Sequence, residues 1–198
     1  MITVFDTETS GVPIKTLPDD HPSQPRLVSL AAVSFSEDGQ TELHSFYMIA
    51  KPEGFEISKE VTEKHGISHE MAMDVGIDAR VILITFFHLY AKSRLAWAFN
   101  SQFDNQIIRR ESRFHSLEHG VFNVAKQRCV MLAASAAMKM PNKHGYASYA
   151  WPKLAEAYEW LYQTPLVGAH NALHDTRATG WLGFGLRDKG LWDFETQT

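Results

Sequence analysis

The chain opens with alternating and short apolar runs and turns to helical spacing later. Ile2 to Phe5 is a β-prone run that stops at Asp6, which predicts Asp6-Thr7-Glu8 at the end of a first strand. Gly11 to Pro25 contains Pro13, Pro18, Pro22 and Pro25 and reads as an irregular loop. Two strands, Arg26 to Phe35 and Glu42 to Ile49, flank the turn signal Ser36-Glu37-Asp38-Gly39 and are expected to pair antiparallel. Ser58 can cap a short helix over Lys59 to Lys64, and a longer helix is expected within Asp78 to Lys92. Leu95 to Phe99 reads as a strand buried on both faces, because Leu95, Trp97 and Phe99 alternate with alanines. Further helices are expected at Gln102 to Phe114, at Cys129 to Met140 before Pro141, at Lys153 to Tyr162 after Pro152, and at Asn171 to Leu182. A loop fills Asn142 to Ala150. Strands come mostly first and helices mostly later, which points to the α/β class with a mixed sheet.

Composition narrows the choices. The 198 residues, 44% apolar and 12% aromatic, suit one globular domain over 1–198. A net charge of −4 argues against passive binding of long duplex DNA and is compatible with clustered carboxylates that need cations to approach phosphate. Cys129 is the single cysteine, so an intramolecular disulfide is excluded and a reducing, cytoplasmic setting is expected. The longest apolar stretch, Val81 to Tyr90, is about half of what a bilayer requires, so no membrane role is expected.

Three acidic clusters stand out, each with a bland alternative. Asp6 and Glu8 at i and i+2 of a strand share a face and could reach common divalent ions, or they could simply begin a polar turn. In Asn100-Ser101-Gln102-Phe103-Asp104, Ser101 and Asp104 have capping-box spacing; equally, Asp104 follows a buried strand, where ligand sites of α/β proteins collect. In His170-Asn171-Ala172-Leu173-His174-Asp175, His170 and Asp175 would lie about 140° apart on one helix. Asn171 as N-cap would leave His170 in the preceding loop and Asp175 in the first turn, able to face one pocket; His174 is expected to point elsewhere. A satisfied surface histidine is the alternative for His170. Together the set could hydrolyse a phosphodiester: four carboxylates hold two metal ions about 3.5–4 Å apart, and a neutral imidazole takes the water's proton.

Phe5-Asp6-Thr7-Glu8-Thr9-Ser10-Gly11, Asn100-Ser101-Gln102-Phe103-Asp104 and His170-x-x-x-x-Asp175, in this order and separation, resemble the DEDD exonuclease superfamily in its histidine-bearing branch. That branch includes the proofreading epsilon subunits of bacterial DNA polymerase III and small RNA-trimming enzymes. The resemblance covers roughly Ile2 to Leu182 and implies a ribonuclease H-like fold with a five-stranded mixed sheet flanked by helices. It further implies 3'-5' release of nucleoside monophosphates with two divalent ions, Mg²⁺ or Mn²⁺. In the family pattern the position of Asp6 bridges both ions, those of Glu8 and Asp175 bind one, that of Asp104 acts largely through water, and that of His170 is the general base. Thr7, Asn100 and Phe103 are implied substrate contacts. Glu60 and His65, in a stretch ending His65-Gly66-Ile67, are implied at the terminal nucleotide, although capping and packing explain that stretch nearly as well.

The sequence departs from the family at Phe99, where a histidine is common, at Val130-Met131, where an Asp-Thr pair is common, and in the long Gly11 to Pro25 loop. The expected partner is the 3' end of single-stranded nucleic acid, DNA before RNA, with a polymerase as a possible associate. The alternatives are an RNA-trimming enzyme and a non-catalytic nucleic-acid-binding accessory module. Arg109, Arg110, Lys126, Arg128, Lys139 and Lys143 are candidates to guide a phosphate backbone, against the default of scattered surface charge. Tyr146 and Tyr149 could stack on bases or merely pack their loop.

Overall fold

A computed structural model describes residues 1–18, 21–117, 122–142, 149–168 and 171–196. The expected His170, Lys143 and Tyr146 lie outside the described residues. Five strands, β1 (Ile2–Thr9), β2 (Leu27–Phe35), β3 (Glu42–Ile49), β4 (Leu95–Ala98) and β5 (Gln127–Cys129), form one sheet in the order β3-β2-β1-β4-β5. β1, β2 and β3 pair antiparallel, whereas β4 runs parallel to β1 and β5 parallel to β4. The helices are α1 (Lys59–His65), α2 (His69–Val75), α3 (Ala79–Lys92), α4 (Ser101–Phe114), α5 (Val130–Met138), α6 (Leu154–Tyr162) and α7 (Ala172–Asp188). The expected five-stranded mixed sheet of the ribonuclease H-like type is the architecture found.

Strand alternation divides the core between two layers. Ile2, Val4, Val33, Phe35, Leu95 and Trp97 face α5, α6 and α7, while Phe5, Leu30, Ala32, Ala96 and Ala98 face α3 and α4. The short β4 is therefore covered on both sides, as its Leu-Ala-Trp-Ala pattern implied. A smaller cluster of Val28, Ile57, Ile67 and Ala72 anchors α1 and α2.

Several boundaries differ from expectation, each for a physical reason. Asp6-Thr7-Glu8 do lie at the end of β1, as expected, and β2 pairs with them as far as Glu8↔Ser29 and Thr9↔Leu27; ladder pairing outweighs the poor strand preference of acidic residues. A bulge between Glu8 and Thr9 ends the regular register. The short, polar α2, capped by the Ser68 hydroxyl, was not anticipated. Gln127–Cys129 forms the edge strand β5, so the helix expected from Cys129 begins at Val130 and closes where Lys139 adopts a left-handed conformation.

α7 runs past Leu182 to Asp188 despite its glycines. A side chain at Gly180 would come within 2.7 Å of the Phe35 ring, and one at Gly183 within 2.6 Å of Trp97. These glycines let α7 lie directly on the sheet.

On the opposite layer, α4 is tied to the start of β2 by a buried ion pair. Arg26 Nη2 donates to Glu111 Oε1 at 2.6 Å and Nε to Oε2 at 2.9 Å, while the Leu27 amide adds 3.1 Å and His115 Nε2 lies 3.1 Å from Oε1. The Arg26 guanidinium also sits 3.9 Å from the centre of the Phe114 ring. Burial by itself would raise the Glu111 carboxyl, but the hydrogen bonds from His115, Arg26 and the Leu27 amide bring it down to about 2. Arg110, expected to be available to phosphate, is instead 1% exposed within this helix face. Lys126 and Arg128 are likewise turned to backbone carbonyls, Lys126 to Ser93 and Arg128 to Phe194 and Gln127. Removing one member of a buried pair strands the other, so Glu111→Ala should destabilise the fold by about 3–5 kcal/mol in urea denaturation. A loss below about 1 kcal/mol would show that the pair does not hold α4 in place.

Candidate active site

β1 delivers its chemistry to both faces of the sheet. Asp6 and Glu8 continue the face of Ile2 and Val4, on which α7 packs, while Thr7 continues the face of Phe5 and α4. Asp175 comes from the first turn of α7. The Asn171 side chain caps that helix by accepting from the His174 amide at 3.1 Å, and the Asp175 amide donates to the Asn171 carbonyl at 2.9 Å. The expected N-cap is therefore formed.

Asp104 arrives by a different route from the capping box its sequence suggested. α4 starts at Ser101 with Asn100 at the cap position, and no side-chain cap bond is made there. Asp104 Oδ1 instead accepts from both the amide (3.0 Å) and the hydroxyl (2.7 Å) of Thr7. β4 pairs with β1 only up to Val4↔Trp97 and then turns into α4. The amide edge of β1 left beyond that point is taken by the Asp104 carboxylate. Thr7, expected to meet substrate, thus gives both its amide and its hydroxyl to Asp104, which is 3% exposed.

The electrostatics bind these groups into one chamber. Asp6 is held well above the usual carboxylate range, first by burial and then by the negative charges of Asp104, Glu8 and Asp175, with the Thr7 amide in partial opposition. Glu8 is pushed up to about 7 by burial and by Asp175 and Asp104. Asp104 is also raised to about 7 by burial, against the two Thr7 hydrogen bonds that favour its charged form. Among the described residues no basic side chain contributes to any of these three shifts. Nor do three acidic, histidine or cysteine side chains among the described residues converge into a closed cage for one ion. The donor set is nonetheless hard oxygen throughout, half-buried and self-repelling. It fits divalent cations of the magnesium type, which bind through few carboxylates and retain water.

The remaining expected residues take varied places. His174 packs edge-on to Trp181 at 6.4 Å, yet its Nδ1 lies 3.8 Å from Asp175 Oδ1, so it flanks the chamber more closely than anticipated. His65 is buried at the end of α1 and accepts from the Ile67 amide at 3.1 Å; burial lowers its imidazole, opposed by the backbone of Thr9 at the end of β1. Glu60 is exposed and paired with Lys64 at 3.0 Å. Phe103 packs on the α3 side of the core, and Asn100 is half-buried at the start of α4. Tyr149 is exposed at 44%.

Tyr47 was missed. Its phenol is raised by burial and by the charge of Glu8, and β-pairing sets Tyr47, Ala31 and Asp6 side by side across three strands on one face. The small Ala31 leaves the sheet surface open between them. Writing the hairpin in register would have revealed it.

Folded Glu8 and Asp104 keep protons that an unfolded chain releases between about pH 4 and 7. Their contribution to stability is complete below that window and lost as pH rises through 7. In chelator, the melting temperature should fall from pH 5 to 8, and Mg²⁺ should restore it at pH 8. Asp6→Asn should raise the melting temperature of chelated protein at pH 8 by about 2–8 °C, the counterpart of about 1–2 kcal/mol. A wild-type melting temperature flat across this range would contradict the repulsive chamber.

Comparison with known proteins agrees with this architecture. The exonuclease (RNase_T) family model matches residues 3–181, whereas no curated protein sequence matches. Among solved structures, the E. coli ExoI–ssDNA complex in its zinc-bound form superposes with a TM-score of 0.73 at 17% identity, covering 95% of this chain and 40% of that one. The chain thus spans about two fifths of the exonuclease I chains it resembles. Exonuclease X in complex with 5' overhanging duplex DNA gives 0.62 at 19% identity, covering 98% and 96%. The nuclease domain of 3'hExo, a DEDDh family member bound to rAMP, gives 0.68 at 14% identity, covering 96% and 92%. With a match across nearly all of its length, the chain belongs to the exonuclease family of the DEDD superfamily.

Proposed function

We propose that the protein is a 3'-5' exonuclease that hydrolyses the terminal phosphodiester of single-stranded nucleic acid, DNA in preference to RNA, in a proofreading or repair setting. The observation that carries this reading is the placement of Asp6, Glu8, Asp104 and Asp175 within electrostatic reach of one another at one end of β1, with Asp104 tied to Thr7. A non-catalytic module would have no use for four carboxylates held together against their own repulsion. Family membership supports the same reading.

In this mechanism Asp6, Glu8 and Asp175 would hold two divalent ions, Mg²⁺ or Mn²⁺, and Asp104, fixed by Thr7, would orient the attacking water. The ions would lower the pKa of the attacking water and neutralise charge on the phosphate and the leaving oxygen. His170, the residue before the Asn171 cap, is assigned as general base from the sequence. His65 and Tyr47 border the space next to Thr9 and Glu8 and would contact the terminal nucleotide. DNA is favoured because the complexes of E. coli exonuclease I and Exonuclease X hold DNA; the rAMP in 3'hExo supports RNA as the second reading.

Purified protein with 5'-labelled DNA and RNA oligomers of matched sequence should shorten the DNA from its 3' end only when Mg²⁺ or Mn²⁺ is present. Asp6→Ala should lower the rate by about 10³-fold or more, as expected when a residue that would hold the ions is lost. Metal-independent shortening, or activity retained by Asp6→Ala, would refute the mechanism. Faster loss of the RNA would select the second reading.

A further inference from the structure

α4 shows the Asp104 chamber one side and turns a second chemical face outward. Gln102, Asn105, Gln106, Arg109 and Arg113 recur at helical spacing, and all of them line a cleft of about 540 Å³ closed on its far side by Gln127 of β5 and the start of α5. That volume lies within the range of small-ligand sites. Among the described residues no carboxylate lines the cleft, although the chain as a whole is acidic.

Arg109 makes no ion pair among the described residues. Gln127 Nε2 donates to the Tyr90 hydroxyl at 3.3 Å, and that hydroxyl donates to the Asn123 carbonyl. This fixes which way the Gln127 amide points and leaves its Oε1 buried without a donor; Asn105 Oδ1 is in the same condition. A buried carbonyl oxygen without a donor is costly, and both of these lie beneath the cleft wall rather than on its surface. What the cleft itself presents is a guanidinium available to phosphate beside the exposed side-chain amide of Gln102, which can pair with base or sugar groups. The cleft lies about one helix diameter from the Asp104 side chain, on the same helix.

We propose that this cleft binds a nucleoside phosphate, with Arg109 on the phosphate and the Gln102 amide on base or sugar groups. The proposal rests on the nuclease reading and extends it. The ligand is either a nucleotide of the substrate strand upstream of the cleaved bond or a free nucleoside monophosphate.

Two measurements on the full chain decide it. The first compares kcat/KM for a 12-mer with that for a dinucleotide, and their ratio should fall about tenfold to a hundredfold in Arg109→Gln and recover partly in Arg109→Lys, the range expected for a lost charged hydrogen bond. The second is binding in chelator, where ions no longer hold phosphate in the acidic chamber: fluorescence anisotropy with a labelled 12-mer and calorimetric titration with dTMP and AMP. Weakening of the 12-mer alone by Arg109→Gln assigns the cleft to the strand, and weakening of the monophosphates assigns it to free nucleotide. Unchanged binding of every probe, with a melting temperature that shows the variant folded, overturns the proposal. Should the wild-type protein hydrolyse nothing, the proposed activity fails, and the chelated binding measurements still decide the cleft.

Discussion

Holding like charges together out of water is the constraint on which this structure depends. The charges of Asp104, Glu8 and Asp175 oppose that of Asp6, and burial penalises Asp6, Glu8 and Asp104 as anions. Their proximity has to be imposed by the surrounding packing. β1 is buried on both faces, α7 is seated on it through Gly180 and Gly183, and α4 is fastened by Arg26 and Glu111. Each of these contacts lies away from the chamber, and each fixes an element that carries one of its carboxylates.

Glu111 and Asp104 show how environment separates two acids on one helix. Both are buried, but Glu111 meets a guanidinium, an imidazole and an amide and stays charged down to about 2. Asp104 meets the two Thr7 donors and its own backbone, with no basic side chain beside it among the described residues, and burial raises it to about 7. The first serves as a rivet. The second is poised for cations or protons, the condition in which carboxylates are chemically useful.

Much of this was legible from residue order. The alternation in β2 to β4, the Asn171 cap and the hairpin at Gly39 are local signals, and local chemistry prevailed. Of the two readings of Asp104 the capping box is not formed, because a partner ninety-seven residues away in sequence, Thr7, offers two donors where the helix start offered one. The place of Asp6-Thr7-Glu8 at the end of β1 was legible, and pairing with β2 carries the strand on to Thr9. β5 is too short to show a period, and α7 contains glycines that read as breakers until the aromatic rings beneath them are known. The stripe from Gln102 to Arg113 looks like an ordinary solvated helix face; only the placement of β5 opposite it makes a cleft.

Because Asp6 and Glu8 look toward one helical layer while Asp104 is held from the other, no half of the molecule contains the chamber. A nascent or partly unfolded chain with a single layer docked would lack part of the acidic set. Assembly of the acidic chamber is therefore conditional on completion of the whole fold, so under the proposed function an immature form would be an inactive one.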